Sequence, residues 1–152
     1  MEYVLTTNAL CKQYRHFKAL HHLSMSVPKG AIYGFVGRNG AGKTTLIRLI
    51  CGLQHATAGD YTRYGVNSKE KKIEASRKRM GAIVESPSIY LDMTAEGNLK
   101  AQYHILGLPS REGIPELLAL VGLENTGKKK AKDFSLGMRQ RLGIAVALAG
   151  NP

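Results

Sequence analysis

A chain of 152 residues with 43% hydrophobic residues and a formal net charge of +11 is long enough for one domain with its own core, and no apolar run approaches the roughly 18 residues that cross a bilayer. The start, Glu2-Tyr3-Val4-Leu5-Thr6-Thr7, lacks the basic opening and apolar centre of a secretory signal, so a cytoplasmic protein is expected. Cys11 and Cys51 stand apart, without C-x-x-C or histidine spacing, which argues against zinc or redox chemistry and for reduced, partly buried thiols.

In chain order, residues 3–11 and 19–27 are rich in β-branched and aromatic side chains, and Pro28-Lys29-Gly30 ends the second run. They predict two antiparallel strands. Residues 31–36, Ala-Ile-Tyr-Gly-Phe-Val, predict a third strand that runs into Gly37-Arg38-Asn39-Gly40-Ala41-Gly42-Lys43-Thr44-Thr45 and then into the apolar Leu46-Ile47-Arg48-Leu49-Ile50. Strand, glycine turn and helix in this order, with the spacing G-x-x-x-x-G-K-[ST], form the phosphate-binding loop. Glycines let successive backbone N–H groups point into one concavity, and the helix that follows adds its unsatisfied N–H groups and the positive end of its dipole. Lys43 supplies a mobile charge for the terminal phosphates, and the Thr44 hydroxyl suits a magnesium ion bridging them.

Residues 58–65 predict a further short strand, residues 68–78 a basic helix, and residues 79–85 an apolar strand tipped by Glu85. After Ser86-Pro87-Ser88 the pattern turns helical. Residues 95–106 are helix-compatible, with Leu108-Pro109 as the stop. Ser110 is the expected cap of the next helix, where Ile114, Leu117, Leu118 and Val121 share one apolar face. Gly127 and three lysines link this to Ser135, the expected cap of a last helix marked by Leu142, Ala145, Val146 and Ala149.

These features together resemble the nucleotide-binding domains of ABC transporters, from about Tyr3 to Pro152. Tyr14, 23 residues before Gly37, resembles the aromatic that stacks on adenine in that family. Glu85 stands where the family usually has the Q-loop glutamine. A glutamate there, followed by Ser86-Pro87 and Asp92-Met93-Thr94-Ala95-Glu96-Gly97-Asn98-Leu99, resembles the branch that exports bacitracin and lantibiotic peptides. Phe134-Ser135-Leu136-Gly137-Met138 resembles the L-S-G-G-Q signature, matching at Ser135 and Gly137 only.

The resemblance implies an α/β fold: a P-loop NTPase core with an antiparallel N-terminal β subdomain and an α-helical signature subdomain, truncated before the Walker B strand. The implied organisation is a partial ATP-binding domain, with residues 1–85 as β subdomain and P-loop core, 86–138 as helical subdomain and 139–152 as signature helix. ATP and Mg2+ are the implied cofactors. Gly37, Arg38, Asn39, Gly40, Ala41, Gly42, Lys43, Thr44, Thr45 and Tyr14 would hold the nucleotide, with Ser135 and Gly137 reaching that of a second subunit. Lys43 and Glu85 would be catalytic, and Thr44 and Glu85 metal ligands. The implied partners are a membrane-spanning permease and a second ATP-binding subunit, at the inner face of the cell membrane.

The carboxylates that complete hydrolysis in the family follow a phrase like Gly150-Asn151-Pro152, so the chain is expected to bind nucleotide without turnover and to self-associate through an unpaired sheet edge. Two other readings stay open: a soluble ABC-type ATPase acting on DNA or ribosomes, and a small P-loop kinase with residues 80–85 as its metal strand. The basic clusters at residues 69–72, 77–79 and 128–130 could attract nucleic acid or anionic lipid, although solvated faces explain such runs more often. No nucleic acid partner is expected.

Overall fold

The computed structural model describes residues 2–152. Strand β1 (Tyr3–Tyr14) turns at Arg15 and His16 into β2 (Phe17–Pro28). Both strands outrun the apolar stretches that announce them, because Lys12 pairs with Leu20 and Gln13 with Lys18. A hairpin ladder is closed by backbone groups, so polar side chains extend it as well as apolar ones. Strand β3 (Ala58–Arg63) pairs with the other edge of β1, and the two-residue β4 (Val66–Asn67) pairs with β3. The sheet is antiparallel throughout, in the order β2-β1-β3-β4.

The chain divides into two compact units, one ending at Arg77 and the other spanning Lys78–Pro152. In the first, helix α1 (Lys43–Ile50) buries Leu46 and Leu49 among Leu10, Leu20, Tyr61 and Ile73. Residues 68–78 form only one helical turn, α2 (Ile73–Ser76), followed by a 3-10 turn. The longer helix expected there is pre-empted by local bonds: Asn67 N–H donates to Glu70 Oε1 at 2.9 Å and Lys69 N–H to Asn67 Oδ1 at 3.0 Å.

Two expected strands are corrected. Residues 31–36 form no strand, and Ile32 and Val36 lie in solvent. Apolar alternation gives a preference for extended backbone, but a strand needs a neighbour to take its hydrogen bonds, and among the described residues none pairs here. Residues 80–84 form no strand either. Their backbone meets a helix: a Cβ at Gly81 would lie 1.9 Å from the Ala147 carbonyl oxygen.

The second unit packs α3 (Ala95–Leu106), α4 (Ile114–Leu120) and α5 (Leu136–Leu148) around Leu99, Ile114, Leu118, Leu123, Phe134 and Leu142. The predicted face of α4 is confirmed, with Ile114, Leu118 and Val121 buried. Thr94 caps α3 by accepting from Gly97 N–H at 3.0 Å. The helix ends at Gly107, in left-handed backbone at φ 67°, where Leu108 N–H reaches the Tyr103 carbonyl at 3.0 Å. A glycine stop of this kind needs no proline, so Leu108-Pro109 follows the end rather than making it. Ser110 does not cap α4. Its hydroxyl accepts from Glu112 N–H at 3.2 Å, and Gly113 occupies the cap position.

Arg63 is the most buried charge of the first unit, 2% exposed. Its guanidinium donates to Ser76 Oγ at 2.8 and 3.0 Å, to the Ile73 carbonyl at 3.0 Å, and to the Ile50 carbonyl at the end of α1. Close by, burial pushes the Cys51 thiol up against the opposing pull of Arg63 and Arg77, so it stays protonated at neutral pH and unreactive. Replacing Arg63 with alanine takes the guanidinium donors from the Ile50 carbonyl and the Ser76 hydroxyl, while the Ile73 carbonyl keeps the Ser76 hydroxyl at 2.7 Å. A loss of about 3 kcal/mol is expected in urea unfolding, and an unchanged midpoint would show that the knot contributes nothing.

Candidate functional site

The phosphate-binding loop curls into the N-terminus of α1. Gly40 and Gly42 take φ 82° and 88°, values that L side chains resist. At Gly42 space is closed as well: a Cβ would lie 2.2 Å from the Ala19 carbonyl oxygen and 2.9 Å from Leu20. Ala41 N–H turns back to the Arg38 carbonyl at 3.1 Å. The Lys43 ammonium folds over the loop and donates to the carbonyls of Gly37 and Arg38 at 2.6 and 2.7 Å. It holds the turn in shape from within.

A recess of about 380 Å³ opens beside this turn, lined by Asn39, Gly40, Gly42, Lys43, Thr44 and Thr45 with Phe17 and Ala19. Gly37, Arg38 and Ala41 shape the loop without lining the recess. The first-turn N–H groups of α1 have no carbonyl above them, so the helix end favours an anion. Glycine turn, helix N-terminus, lysine and hydroxyl are therefore the donor set a polyphosphate requires. Magnesium also fits, since it takes few protein oxygens and completes its shell with phosphate and water. Thr44 and Thr45 are the hydroxyl-bearing residues of the lining.

The aromatic wall differs from expectation. Tyr14 does not line the recess; its hydroxyl bonds Gln54 Oε1, and Lys12 Nζ sits 5.1 Å from its ring centroid. Phe17 lines the recess and is 59% exposed. The strand each ring sits on explains the difference: Phe17 opens β2, whose Ala19 and Leu20 pack against Gly42, whereas Tyr14 closes β1 and bonds Gln54. The sequence does not show which strand of the hairpin packs on the phosphate loop.

Glu85, Ser135 and Gly137 belong to the second unit. Glu85 is exposed and holds φ 65°, a strained conformation for a non-glycine residue. Ser135 caps α5 as predicted, accepting from Met138 N–H at 3.2 Å. The segment after Glu85 and the start of α5 come together: Ser86, Pro87, Ile89, Leu91, Leu136, Arg139 and Gln140 line one recess. Gly143 admits Pro87, whose Cβ would lie 2.5 Å from an added Cβ.

Comparison with known proteins agrees with this geometry. Residues 20–152 match the ABC transporter family. The chain is 45% identical along its full length to the bacitracin transport ATP-binding protein BcrA of Bacillus licheniformis, covering 49% of that protein. It is 36% identical to the lantibiotic transport ATP-binding protein SrtF of Streptococcus pyogenes, over 98% of this chain and 63% of that one. A solved structure of an ATP-binding subunit of an ABC transporter superposes with a TM-score of 0.86 at 28% identity, over 98% of this chain and 63% of that one. The chain thus spans about half to two thirds of the length of these relatives. With the glycine turn at the N-terminus of α1 and the family match over residues 20–152 in agreement, the chain belongs to the ABC transporter family, among its ATP-binding proteins.

Proposed function

We propose that this chain is the nucleotide-binding part of an ABC-type exporter, coupling ATP binding and hydrolysis to transport of a peptide of the bacitracin or lantibiotic kind. The observation that carries this reading is the recess at the N-terminus of α1, where Lys43, Thr44 and the glycine turn converge. The names of the similar bacitracin and lantibiotic transport proteins support the substrate class.

In this reading the N–H groups of residues 37–45 cradle the phosphates. Lys43 exchanges the carbonyls of Gly37 and Arg38 for phosphate oxygens, so the loop is pre-shaped before ligand arrives. When bound, magnesium neutralises charge between the outer phosphates; Thr44 is the residue that would hold it, with Glu85 as its second protein ligand in the intact protein. Among the described residues the recess lining carries no carboxylate to activate water, so the chain alone is expected to bind nucleotide without turning it over. Ser135 and Gly137 would present donors to nucleotide held by a second ATP-binding subunit, and a permease would carry the assembly at the inner face of the membrane. The unladdered apolar residues 31–36 support the further reading that the isolated chain self-associates.

Three measurements test this. Lys43→Ala removes a charge-assisted hydrogen bond worth roughly 1.5–3 kcal/mol and should weaken ATP binding about 10- to 100-fold by calorimetry; unchanged affinity would sink the assignment. We place the base against Phe17. A stacked base is worth roughly 1–3 kcal/mol, so Phe17→Ala should cost about 5- to 100-fold in affinity while Tyr14→Ala costs little. The reverse ranking would return the base to Tyr14. In the full-length transporter, Glu85→Gln should preserve ATPase activity and Glu85→Ala should abolish most of it; an active alanine variant would make Glu85 a solvated acid.

A further inference from the structure

The chain has six asparagines, and the backbone nitrogen of the residue after each one decides whether the side-chain amide can react with its own backbone. Five of these nitrogens are engaged or lack a proton. Ala9 N–H donates to Ser24 Oγ at 2.9 Å, Ser68 N–H to the Tyr61 carbonyl at 2.7 Å and Thr126 N–H to the Leu123 carbonyl at 3.3 Å. Leu99 lies inside α3, where its N–H belongs to the helix ladder, and Pro152 has no N–H. Two of the side chains are pinned as well. Asn98, 2% exposed, donates to the Tyr90 and Thr94 carbonyls at 3.0 and 2.9 Å. Asn67 accepts from Lys69 N–H at 3.0 Å and donates to Asp60 Oδ1 at 3.2 Å.

The sixth is Asn39, in the phosphate loop. Among the described residues its side chain makes no hydrogen bond, and the N–H of Gly40 has no acceptor. Both residues are exposed, and nothing lies within 4 Å of the place a Cβ on Gly40 would take. The approach to the Gly40 nitrogen is therefore open. The loop also supplies an electrostatic push. Attack by an amide nitrogen on a carbonyl builds negative charge, first on the nitrogen and then on the oxygen. Lys43, which lines the recess with Asn39, and the N-terminus of α1 stabilise such charge for the same reason that they suit a phosphate.

We propose that Asn39 is a self-modification site, at which the loop converts its own amide into a carboxylate. Hydroxide takes the Gly40 proton, the nitrogen attacks Asn39 Cγ, and the bond from Cγ to Nδ2 breaks. The leaving nitrogen takes a proton from water, which restores the hydroxide, and departs as ammonia. Water then opens the cyclic imide at either carbonyl, to aspartate or to isoaspartate. One water is consumed and one ammonia released, with nothing oxidised or reduced. Either product sets a carboxylate in the lining beside Lys43, where it competes with phosphate for the ammonium, and isoaspartate also lengthens the backbone of the turn. The reaction needs no nucleotide; only its effect on binding rests on the ATP reading.

The test is peptide mapping by mass spectrometry of the full chain aged without nucleotide at neutral and mildly alkaline pH. Asn39 should show the amide-to-acid mass change, with isoaspartate among the products, about tenfold ahead of Asn8, Asn67, Asn98 and Asn125, whose following N–H groups must first give up a hydrogen bond. Conversion should be faster at the higher pH. By calorimetry the aged chain should lose ATP binding in proportion to conversion, and freshly made Asn39→Asp should bind ATP about 10- to 100-fold more weakly than the parent. Asn39→Gln has to close a larger ring, so its affinity should hold steady over the same ageing. An unconverted Asn39, another asparagine converting first, or a converted chain that binds ATP as the fresh parent does would each overturn the proposal. The mass change is read without ATP, so failure of the reaction is told apart from failure of the nucleotide reading.

Discussion

The contact on which the proposed nucleotide site depends is at the end of α1 away from the recess. A helix of eight residues is too short to persist in water by itself. Its orientation comes from Leu46 and Leu49, buried at 2% and 0%, and from Arg63, whose guanidinium takes the carbonyl of Ile50 while gripping Ser76 and Ile73. A cation at a helix C-terminus satisfies an orphan carbonyl and complements the dipole. The two ends then divide their work. The buried end fixes the axis, and the other is left with free N–H groups facing the recess, which is where an anion gains most.

That division explains which parts of the chain were legible. Phosphate loop, α3, the buried face of α4 and the Ser135 cap were readable because each is specified within a few consecutive residues: glycines before a lysine, leucines at helical spacing, a hydroxyl three residues before the N–H it accepts. Residues 31–36 and 80–84 misled for the opposite reason. Their β-branched and aromatic composition records a preference, while strand formation is a property of two segments at once. The shortened helix before Arg77 was lost to Asn67 and Glu70, whose side chains form turns that a hydrophobicity pattern does not register.

The adenine wall shows the same limit at the level of a single ring. Tyr14 has the spacing that the family resemblance asks for, yet its hydroxyl is committed to Gln54 and its ring lies near Lys12. Phe17 stands in the recess lining at 59% exposure. A phenylalanine also has no hydroxyl to satisfy when a base covers it, so stacking there costs no hydrogen bond. The motif pointed to an aromatic near the hairpin turn, and it is the place of Phe17 on β2, in the recess lining, that makes it the ring proposed to meet the base.

Charge is the feature least determined by the family. A formal +11 says nothing of fold, and much of it is spent locally: Arg63 in the core knot, Arg77 on Glu74 at 2.6 Å, Lys100 on Glu96 at 2.6 Å, Lys69 on Asp60 at 3.2 Å. What distinguishes residues 128–132 is concentration within a few residues combined with rigidity. Exposed lysines on a mobile loop would lose side-chain and backbone entropy on meeting any partner. Here the backbone entropy is already surrendered to the ladder with residues 91–94 and to the Arg139 brace. A surface organised in advance, with Leu91 and Met93 already turned outward, keeps more of its interaction energy for the proposed permease.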